Sequence, residues 1–366
     1  MKKRLSALLA AVVLLTGCNN SQGSGSSTVI GGQVISRPES TSTSEKNNSD
    51  SSENTDNESN TESLPESGTP TENVPQDGKP VVYMTTDISP EGLQAVYDAL
   101  GWSPTGKLAV KLSTGEPPAS NYLRPELIGD LVKSLGGTIV ECNTAYGGSR
   151  AETAMHYQVA KDHGFTDIAE FQILDEDGSM TLPVTGGAQL SENYVGAHFG
   201  DYDSYLVLSH FKGHAMAGFG GAIKNISIGL GSSEGKSWIH SAGSSRTNPW
   251  GGAQDPFLES MAEAGKSVSD YLGNGERIVY INVMNRLSVD CDCDGNPSEP
   301  DMHDIGILAS TDPVAVDQAC IDLVYSAEDG ASLIKRIESR NGLHTLEHAA
   351  EIGLGSREYS LVSVDQ

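Results

Sequence analysis

Apolar and polar positions divide this chain into three parts. An apolar run near the N-terminus, residues 5–15, gives way to a polar tract that extends to about residue 79. From residue 80 onward, short apolar runs alternate with segments in which apolar residues recur at helical spacing. This alternation is typical of βαβ units. We therefore predict an α/β fold with mainly parallel sheets, flanking helices and two lobes around a cleft.

The individual runs predict the elements of that domain. Strands are expected at residues 81–84, 108–112, 138–142, 205–209, 277–283, 305–308 and 359–364. Helices are expected at residues 90–100, 125–135, 151–163 and 256–272. Another helix is expected to begin at Pro313, because proline suits the first helical position. A glycine-rich segment, residues 212–235, follows the fourth strand.

The N-terminal run has the features of an export signal. Basic residues at positions 2–4 precede an apolar run of about 11 residues, which is shorter than the roughly 20 that a membrane-spanning helix needs. The run ends in Leu15-Thr16-Gly17-Cys18, which resembles the lipobox of bacterial lipoproteins. That resemblance implies a signal peptide and a lipidated Cys18 within residues 1–18. Acyl chains such as palmitate would then attach Cys18 to the lipid bilayer, on the extracytoplasmic side of the cell membrane. The alternative is an ordinary secretory signal with a chance cysteine.

Composition separates a tether from the folded domain. Residues 19–79 are rich in Ser, Thr, Glu and Pro and carry few apolar side chains, so we expect them to form a disordered tether. Residues 80–366 remain for the α/β domain. The chain has a net charge of −26, which excludes nucleic acid as a partner because phosphate contacts require an excess of basic side chains.

The densest chemistry follows the predicted strand at residues 205–209. His210, Lys212, His214 and Lys224 lie close together in sequence, and α/β folds place their sites at the carboxyl ends of strands. Glycines in this segment allow a backbone to approach a ligand, and their N–H groups are suited to a small organic anion. We predict that a cofactor or anion binds at Lys212, Lys224, Gly220 and Gly221. The alternative is a glycine-rich turn whose histidines cap helices or lie on the surface.

Several motifs together resemble a known family. Residues 210–236, Asp290-Cys291-Asp292-Cys293, residues 304–308 and Asp312-Pro313-Val314-Ala315 are similar to the domain of unknown function 362 family. Its members are often described as uncharacterised iron–sulfur-centre proteins, and the resemblance implies no assigned reaction. Many relatives carry a ferredoxin-like Cys-x-x-Cys-x-x-Cys insert. This chain has no cysteine between His240 and Cys291, so we do not expect a ferredoxin-type iron–sulfur cluster.

A more distant likeness is to the nickel-pincer lactate racemase family, at His214, Lys224, His240 and the glycine-rich residues between them. The likeness implies that Lys224 carries a pyridinium-derived cofactor, that His240 ligates nickel and that His214 is the acid–base group. In that family a second histidine follows a Thr-Gly-x motif, whereas residues 113–116 here end in Glu116. We therefore take the likeness to indicate a shared pocket and not racemisation.

The acidic loop at residues 290–304 leaves three interpretations open. Cys291, Cys293 and His303 have the donor types of a soft-metal site, suited to zinc or iron. The Asp-x-Asp-x-Asp-Gly sequence that starts at Asp290 resembles a calcium loop, with Asp301 at position twelve. The third interpretation is a loop without metal, either solvated or with its cysteine pair oxidised on export.

Two functional hypotheses result. The first is a lipoprotein that binds a transition metal (zinc, iron or nickel) or a metal-containing cofactor, with catalytic residues His214 and Lys224 and metal ligands His240, Cys291, Cys293 and His303. The second is a non-catalytic lipoprotein that captures a small organic anion. Neither hypothesis names a substrate or a reaction.

Overall fold

The computed structural model describes residues 78–365. The predicted α/β class is confirmed. The two expected lobes are not found in this part of the chain, because it forms one unit around a central eight-stranded sheet. The predicted signal peptide, the predicted lipidation site Cys18 and the predicted tether up to residue 77 lie outside the described residues. No helix in the described part is long and apolar enough to cross a membrane.

The described strands and α-helices alternate as far as residue 173, and runs of several strands or several helices follow. The strands are β1 (Val81–Thr85), β2 (Leu108–Lys111), β3 (Thr138–Glu141), β4 (Phe171–Ile173), β5 (Ser179–Pro183), β6 (Glu192–Gly196), β7 (Ser204–His210), β8 (Lys212–His214), β9 (Gly218–Gly220), β10 (Ile278–Met284), β11 (Gly306–Ser310) and β12 (Ser360–Ser363). The α-helices are α1 (Pro90–Ala99), α2 (Pro125–Leu135), α3 (Thr153–Asp162), α4 (Ala222–Ser227), α5 (Ser233–His240), α6 (Gln254–Tyr271), α7 (Pro313–Ser326), α8 (Ala331–Ser339) and α9 (His344–Glu351).

Eight strands form one mixed sheet in the order β12-β1-β11-β10-β7-β2-β3-β4. Strand β11 runs antiparallel to both of its neighbours, and the other adjacent pairs are parallel. The sheet is therefore mainly parallel, as predicted. Strands β5 and β6 form a separate antiparallel pair, and β8 and β9 form another.

Local sequence signals explain where several helices begin and end. Helix α2 has a proline in its first turn and ends at Gly136, whose φ of 62° is a left-handed conformation that glycine adopts without strain. Helix α7 begins after Asp312, whose carboxylate accepts hydrogen bonds from the N–H groups of Val314 and Ala315. Such a cap stabilises a helix by about 1 kcal/mol.

The two central strands explain the core. All seven residues of β7 and all seven of β10 are buried. Strands covered on both faces read as continuous apolar runs, which is why both were predictable from sequence. Helices on both sides of the sheet bury these strands within two large apolar clusters.

The sheet has a topological switch point between β2 and β7. From β2 the chain continues to β3 on one side, and from β7 it continues through three helices to β10 on the other side. In open α/β sheets, ligand sites lie outside the carboxyl ends of the strands at such a point. Lys111 ends β2, Glu141 ends β3 and His210 ends β7, so charged side chains are placed at this crevice.

Candidate functional site

A cavity of about 430 Å³ lies at the crevice, within the usual size range for small-molecule sites. Its walls come from the ends of β2, β3 and β7, from the β8–β9 hairpin, from helices α4 and α5, and from the loop that follows β10. The cavity brings together most of the site residues predicted from sequence, namely His210, Lys212, His214, Gly220, Gly221, Lys224, His240, Cys291 and Cys293.

The side chains of His210 and Lys212 contact the acidic loop, so they are not available to a ligand. His210 Nδ1 lies 2.8 Å from Asp292 Oδ1, and Lys212 Nζ lies 2.8 Å from Asp292 Oδ2. Burial alone would raise the pKa of Asp292, but Lys212 and His210 outweigh it and hold that pKa well below its usual range. Asp292 thus fastens the loop to the end of β7, and these residues form the cavity wall.

A second buried ion-pair network closes the other side of the crevice. Lys111 Nζ lies 3.1 Å from Glu141 Oε2 and also donates to Asn225 Oδ1 at 3.0 Å. Arg150 lies 3.5 Å from Glu141 and 3.1 Å from Glu116. Burial acts to raise the pKa of Glu141, but Lys111 and other nearby cations outweigh it and lower the pKa to about 2. Glu141 is therefore a fixed negative charge.

Two lysines that line the cavity have no ion pair with a carboxylate among the described residues. Lys236 is buried and donates to the main-chain carbonyl of Gly231 at 2.6 Å. Lys224 is half-buried, and its side-chain amine makes no hydrogen bond with the described residues. Burial, followed by the charges of Lys212 and Lys236, lowers its pKa to about 7. Near neutral pH the Lys224 amine is thus divided between its charged and neutral forms.

Hydrogen bonds fix the proton of His214 on one ring nitrogen. His214 Nδ1 accepts the main-chain N–H of Ala217 at 2.9 Å and that of Met216 at 3.2 Å. Burial, followed by the charges of Lys224 and His240, lowers the pKa of His214 well below its usual value, so the ring is neutral. Its single proton must then lie on Nε2, because Nδ1 uses its lone pair as an acceptor. A metal-binding histidine normally shows the reverse arrangement, with the non-ligating nitrogen donating its N–H.

His240, at the end of α5, has a buried ring nitrogen with no partner. Its Nδ1 makes no hydrogen bond within the described residues, and its ring lies 4.8 Å from that of Phe257. Burial, followed by the charges of Lys224 and Lys236, lowers the pKa of His240 to about 3. A neutral imidazole with an unused buried nitrogen calls for a hydrogen-bond or ligand partner, and residues 78–365 do not supply one.

The glycines of the segment have a structural role that was not predicted. A Cβ atom on Gly221 would lie 2.2 Å from Asp317 Oδ1, so the buried Asp317 carboxylate requires a glycine there. Asp317 accepts the N–H groups of Ala222 at 2.7 Å and Ile223 at 3.0 Å. The N–H groups that follow the two glycines are therefore occupied and do not extend the anion site predicted at Gly220 and Gly221. Gly220 lines the cavity beside Lys224.

The predicted metal ligands do not form one site. Cys291 and Cys293 are joined in a disulfide, so neither sulfur is a thiolate ligand in this form. His303 does not line the cavity. It is 60% exposed and its Nδ1 lies 2.8 Å from Asp329. The prediction of His303 as a ligand beside the cysteines is wrong, because the chain turns away from the cavity between the two segments.

The calcium interpretation of the loop also lacks a geometric basis. Asp290 accepts from Ser298 and Asp301 from Ser332, so their carboxylates serve separate structural bonds. Within residues 78–365, the group of three potential metal donors whose atoms lie within 4.8 Å of one another is His214, Cys291 and Cys293. The aspartates do not converge on a point where one cation would contact them.

Sequence reasoning missed several residues that shape the cavity. They are charged or polar side chains at strand ends or on helices that follow them, namely Lys111, Glu141, Arg150, Asn225, Lys236 and Asp292. A lysine within the apolar run at residues 108–112 was an available signal. Lysine is almost never fully buried unless it is paired, so Lys111 pointed to a buried acidic partner.

Residues 108–322 match the model of a protein family described as Domain of unknown function (DUF362). The chain belongs to the DUF362 family. The match confirms the resemblance drawn from the sequence motifs, and it includes every residue that lines the cavity. The cavity is therefore part of the DUF362 domain itself. No curated protein matches the sequence.

Two solved structures are similar to this DUF362 chain. The lactate racemase apoprotein from Thermoanaerobacterium thermosaccharolyticum is 16% identical, with a TM-score of 0.41 over 69% of this chain and 58% of that one. A structural-genomics protein from Thermotoga maritima is 12% identical, with a TM-score of 0.37 over 72% of this chain and 58% of that one. This chain thus spans less than two thirds of either structure. Similarity at this level does not extend to a shared reaction.

Proposed function

We propose that this DUF362 domain binds a small organic anion, of the carboxylate or phosphate-ester class, in the cavity at the carboxyl ends of β2 and β7. One observation carries the proposal: Lys224 and Lys236 line the cavity, and neither is ion-paired to a carboxylate within residues 78–365. A buried cation without a counter-ion is unfavourable, and a bound anion would offset that cost.

The other polar groups of the cavity are consistent with an anionic ligand. The His214 ring is held as an N–H donor through Nε2, and a donor is what an oxyanion requires. The lining carboxylates are engaged elsewhere: Asp292 by Lys212 and Glu141 by Lys111. Asp290, which also lines the cavity, pairs with Arg336 at 3.1 Å. Asp294, the remaining lining carboxylate, is exposed and accepts the main-chain N–H of Asn296 at 2.9 Å. These contacts leave Lys224 and Lys236 without a carboxylate partner among the described residues.

The binding test is a thermal-shift screen of the purified full-length chain, followed by calorimetric titration. The panel contains mono- and dicarboxylates and phosphate esters, each with an uncharged amide or alcohol of the same shape. We expect anions to bind and their neutral counterparts not to bind. A hydrogen bond to a charged group contributes about 1.5–3 kcal/mol, so Lys224→Ala should weaken binding by about tenfold or more.

A matched variant controls for the loss of charge alone. Lys161 is exposed on α3 and does not line the cavity, so Lys161→Ala removes one positive charge without touching the site. Anion affinity should be unchanged in this variant. Failure of every anion to bind would contradict the proposal, as would equal effects of Lys161→Ala and Lys224→Ala.

A metal-loaded form is a second candidate, favoured by the unpartnered Nδ1 of His240. The residues fit an organic cofactor better than a bare cation, because Lys224 offers an amine for attachment and the lysines repel free metal ions. A cofactor with acidic groups would use the same lysines as a simple anion, and its bound metal would supply Lewis-acid chemistry. Elemental analysis tests this candidate: near-stoichiometric zinc, iron or nickel, lost in His240→Ala, would support it, whereas a metal-free protein that binds anions would not.

We also propose that the domain acts at the outer face of the cell membrane, held by acyl chains on Cys18. The support is the lipobox-like sequence at residues 15–18 and the polar tract that follows it. Incorporation of labelled palmitate into the full-length chain, and its loss in Cys18→Ser, is the expected result. Equal labelling of both chains, or labelling of neither, would contradict the anchor.

A further inference from the structure

The disulfide between Cys291 and Cys293 forms part of the cavity wall. It encloses one residue only, so it restricts the unfolded chain less than a disulfide that closes a long loop. The other two cysteines in the described part of the chain, Cys142 and Cys320, are free and buried. Stability therefore gives a weak reason for this bond, and its position beside the ligand cavity calls for another.

The loop that carries the disulfide is fixed in place. Asp292, between the two cysteines, pairs with His210 and Lys212, and its carbonyl accepts the main-chain N–H of Glu116 at 2.7 Å. The two cysteines nevertheless differ in access. Cys291 is 6% exposed, whereas Cys293 is half-buried. A reagent that enters the cavity would reach the sulfur of Cys293 more readily than that of Cys291.

Groups that stabilise a thiolate surround Cys291. Its Sγ accepts the main-chain N–H of Cys293 at 3.4 Å. A ring nitrogen of His214 lies within 4.8 Å of both sulfurs, and the proton of that ring is on Nε2 because Nδ1 is occupied. Lys212 and Lys224 line the same cavity. N–H donors close to a sulfur favour its thiolate and make it a better leaving group, and Lys224, which has no carboxylate partner among the described residues, adds positive charge to the same cavity.

We propose that Cys291–Cys293 is a redox-active disulfide that exchanges with small thiols entering the cavity. In the first step, a thiolate attacks Cys293 Sγ and forms a mixed disulfide with it, while the Cys291–Cys293 bond breaks and its electron pair leaves with Cys291. In the second step, another thiolate attacks the sulfur of the bound thiol and releases Cys293 as a thiolate. Two thiols are oxidised to one disulfide, and the cysteine pair is reduced by two electrons.

We expect Lys224 and Lys236 to select among thiols by charge, and this selection rests on the anion-binding function proposed above. A thiol with a carboxylate or sulfonate should enter more readily than one with an ammonium group, because charged cavities raise the local concentration of oppositely charged molecules. Thiol exchange and the binding of an unreactive anion are tested separately. A protein that binds anions but keeps its disulfide would support anion binding alone, and a protein that exchanges thiols but binds no anion would support the redox proposal alone.

The test compares 3-mercaptopropionate with cysteamine as reductants of the folded full-length chain. Reduction is followed by differential alkylation and mass spectrometry of the peptides that carry residues 291 and 293, while circular dichroism reports folding. With rates corrected for thiolate fraction, we expect 3-mercaptopropionate to react about tenfold faster at low salt, and 0.5 M salt to reduce the difference. Cys142 and Cys320 should remain unalkylated throughout. Reduction only on unfolding would overturn the proposal of a redox-active disulfide. Equal rates for the two thiols at low salt would overturn the selection of thiols by charge.

Two single-cysteine variants test the order of attack. Cys291→Ser leaves the more accessible Cys293 thiol, and Cys293→Ser leaves the buried Cys291 thiol. A small disulfide such as that of 3-mercaptopropionate should form a mixed disulfide with Cys291→Ser at least several-fold faster than with Cys293→Ser. The opposite order, or equal rates, would overturn the assignment of Cys293 as the attacked sulfur.

Discussion

Lys224 should lower the free energy of unfolding in the absence of a ligand, because its charge then lies in the cavity without a carboxylate partner among the described residues. Its pKa falls from an ordinary 10.5 to about 7 in the folded protein, with burial as the main cause. Each tenfold change in proton affinity corresponds to about 1.4 kcal/mol, so the full change corresponds to at most about 5 kcal/mol. Water reaches part of this side chain, which screens its charge. We therefore expect Lys224→Met to raise the free energy of unfolding by about 2 kcal/mol near pH 6.

The stability gained by Lys224→Met should decrease as the pH rises. Between pH 7 and pH 10.5, the unfolded chain binds a proton at Lys224 that the folded chain does not, so the stability of the wild-type protein rises with pH across this window. The advantage of Lys224→Met is therefore fully present below pH 7 and is lost as the pH approaches 10.5. Denaturant titrations followed by circular dichroism at pH 6, 8 and 10 measure both the gain and its decline.

A matched substitution in the same cavity should lower the free energy of unfolding instead of raising it. Lys111 is buried and paired with Glu141, so Lys111→Met leaves that carboxylate without its nearest counter-ion. Removing one partner of a buried pair costs about 3–5 kcal/mol, and the more distant Arg150 should hold the loss near the lower value. A Lys224→Met protein that is less stable than the wild type at pH 6, or whose advantage is the same at pH 6 and pH 10, would refute the reasoning.

Three further substitutions test how the cavity is built, each by denaturant titration. Asp292→Asn should lower the free energy of unfolding by about 3 kcal/mol, because His210 and Lys212 lose the carboxylate that they contact. The released loop, residues 285–305, should also become sensitive to proteolysis, and an unchanged cleavage pattern would argue against this. Gly221→Ala should cost about 1–3 kcal/mol and weaken anion binding, since the new methyl group meets Asp317. Gly147→Ala, where the methyl group meets nothing within 4 Å, is its control and should change stability by less than about 0.5 kcal/mol. Lys236→Met should lower the free energy of unfolding by about 1–3 kcal/mol, because the main-chain carbonyl of Gly231 loses its buried donor. A more stable protein would mean that Lys236, like Lys224, destabilises the fold in the absence of a ligand.

The fold was predictable where the signal is local. Helix α2 carries its own start and stop at Pro125 and Gly136, and the continuous apolar runs of β7 and β10 identify buried strands. The β5–β6 and β8–β9 pairs were not predicted. Strand β5 has a single buried residue, Leu182, and β9 consists of two glycines around Phe219, so neither shows a period that indicates a strand.

The site was predictable only in the part that is contiguous in sequence. The rule that ligands bind beyond the carboxyl ends of strands led from β7 to His214 and Lys224, which do line one cavity. The Lys111–Glu141 pair joins residues 30 positions apart, and its contact depends on the register between β2 and β3. No spacing within the sequence encodes that register.

Proximity in sequence also led to wrong predictions about the loop after β10. His303 follows the cysteine pair by only ten positions, yet it lies at the surface beside Asp329. Asp292 belongs to the predicted calcium loop, whereas its carboxylate contacts Lys212 and His210, which lie 80 and 82 positions earlier. Both outcomes depend on how the loop after β10 returns across the sheet, which is a property of the whole fold.

The most direct test of an anion-binding cavity is the proton uptake that accompanies binding. An anion beside Lys224 favours its charged form, so at pH 8, above the pKa of about 7, binding should take up close to one proton. Calorimetric titrations in buffers of different ionisation enthalpy measure this number. We predict uptake near one proton in the wild-type protein and near zero in Lys224→Met, together with weaker binding. Anion binding without proton uptake, or with equal uptake in both proteins, would contradict the assignment of Lys224 as the group that holds the ligand.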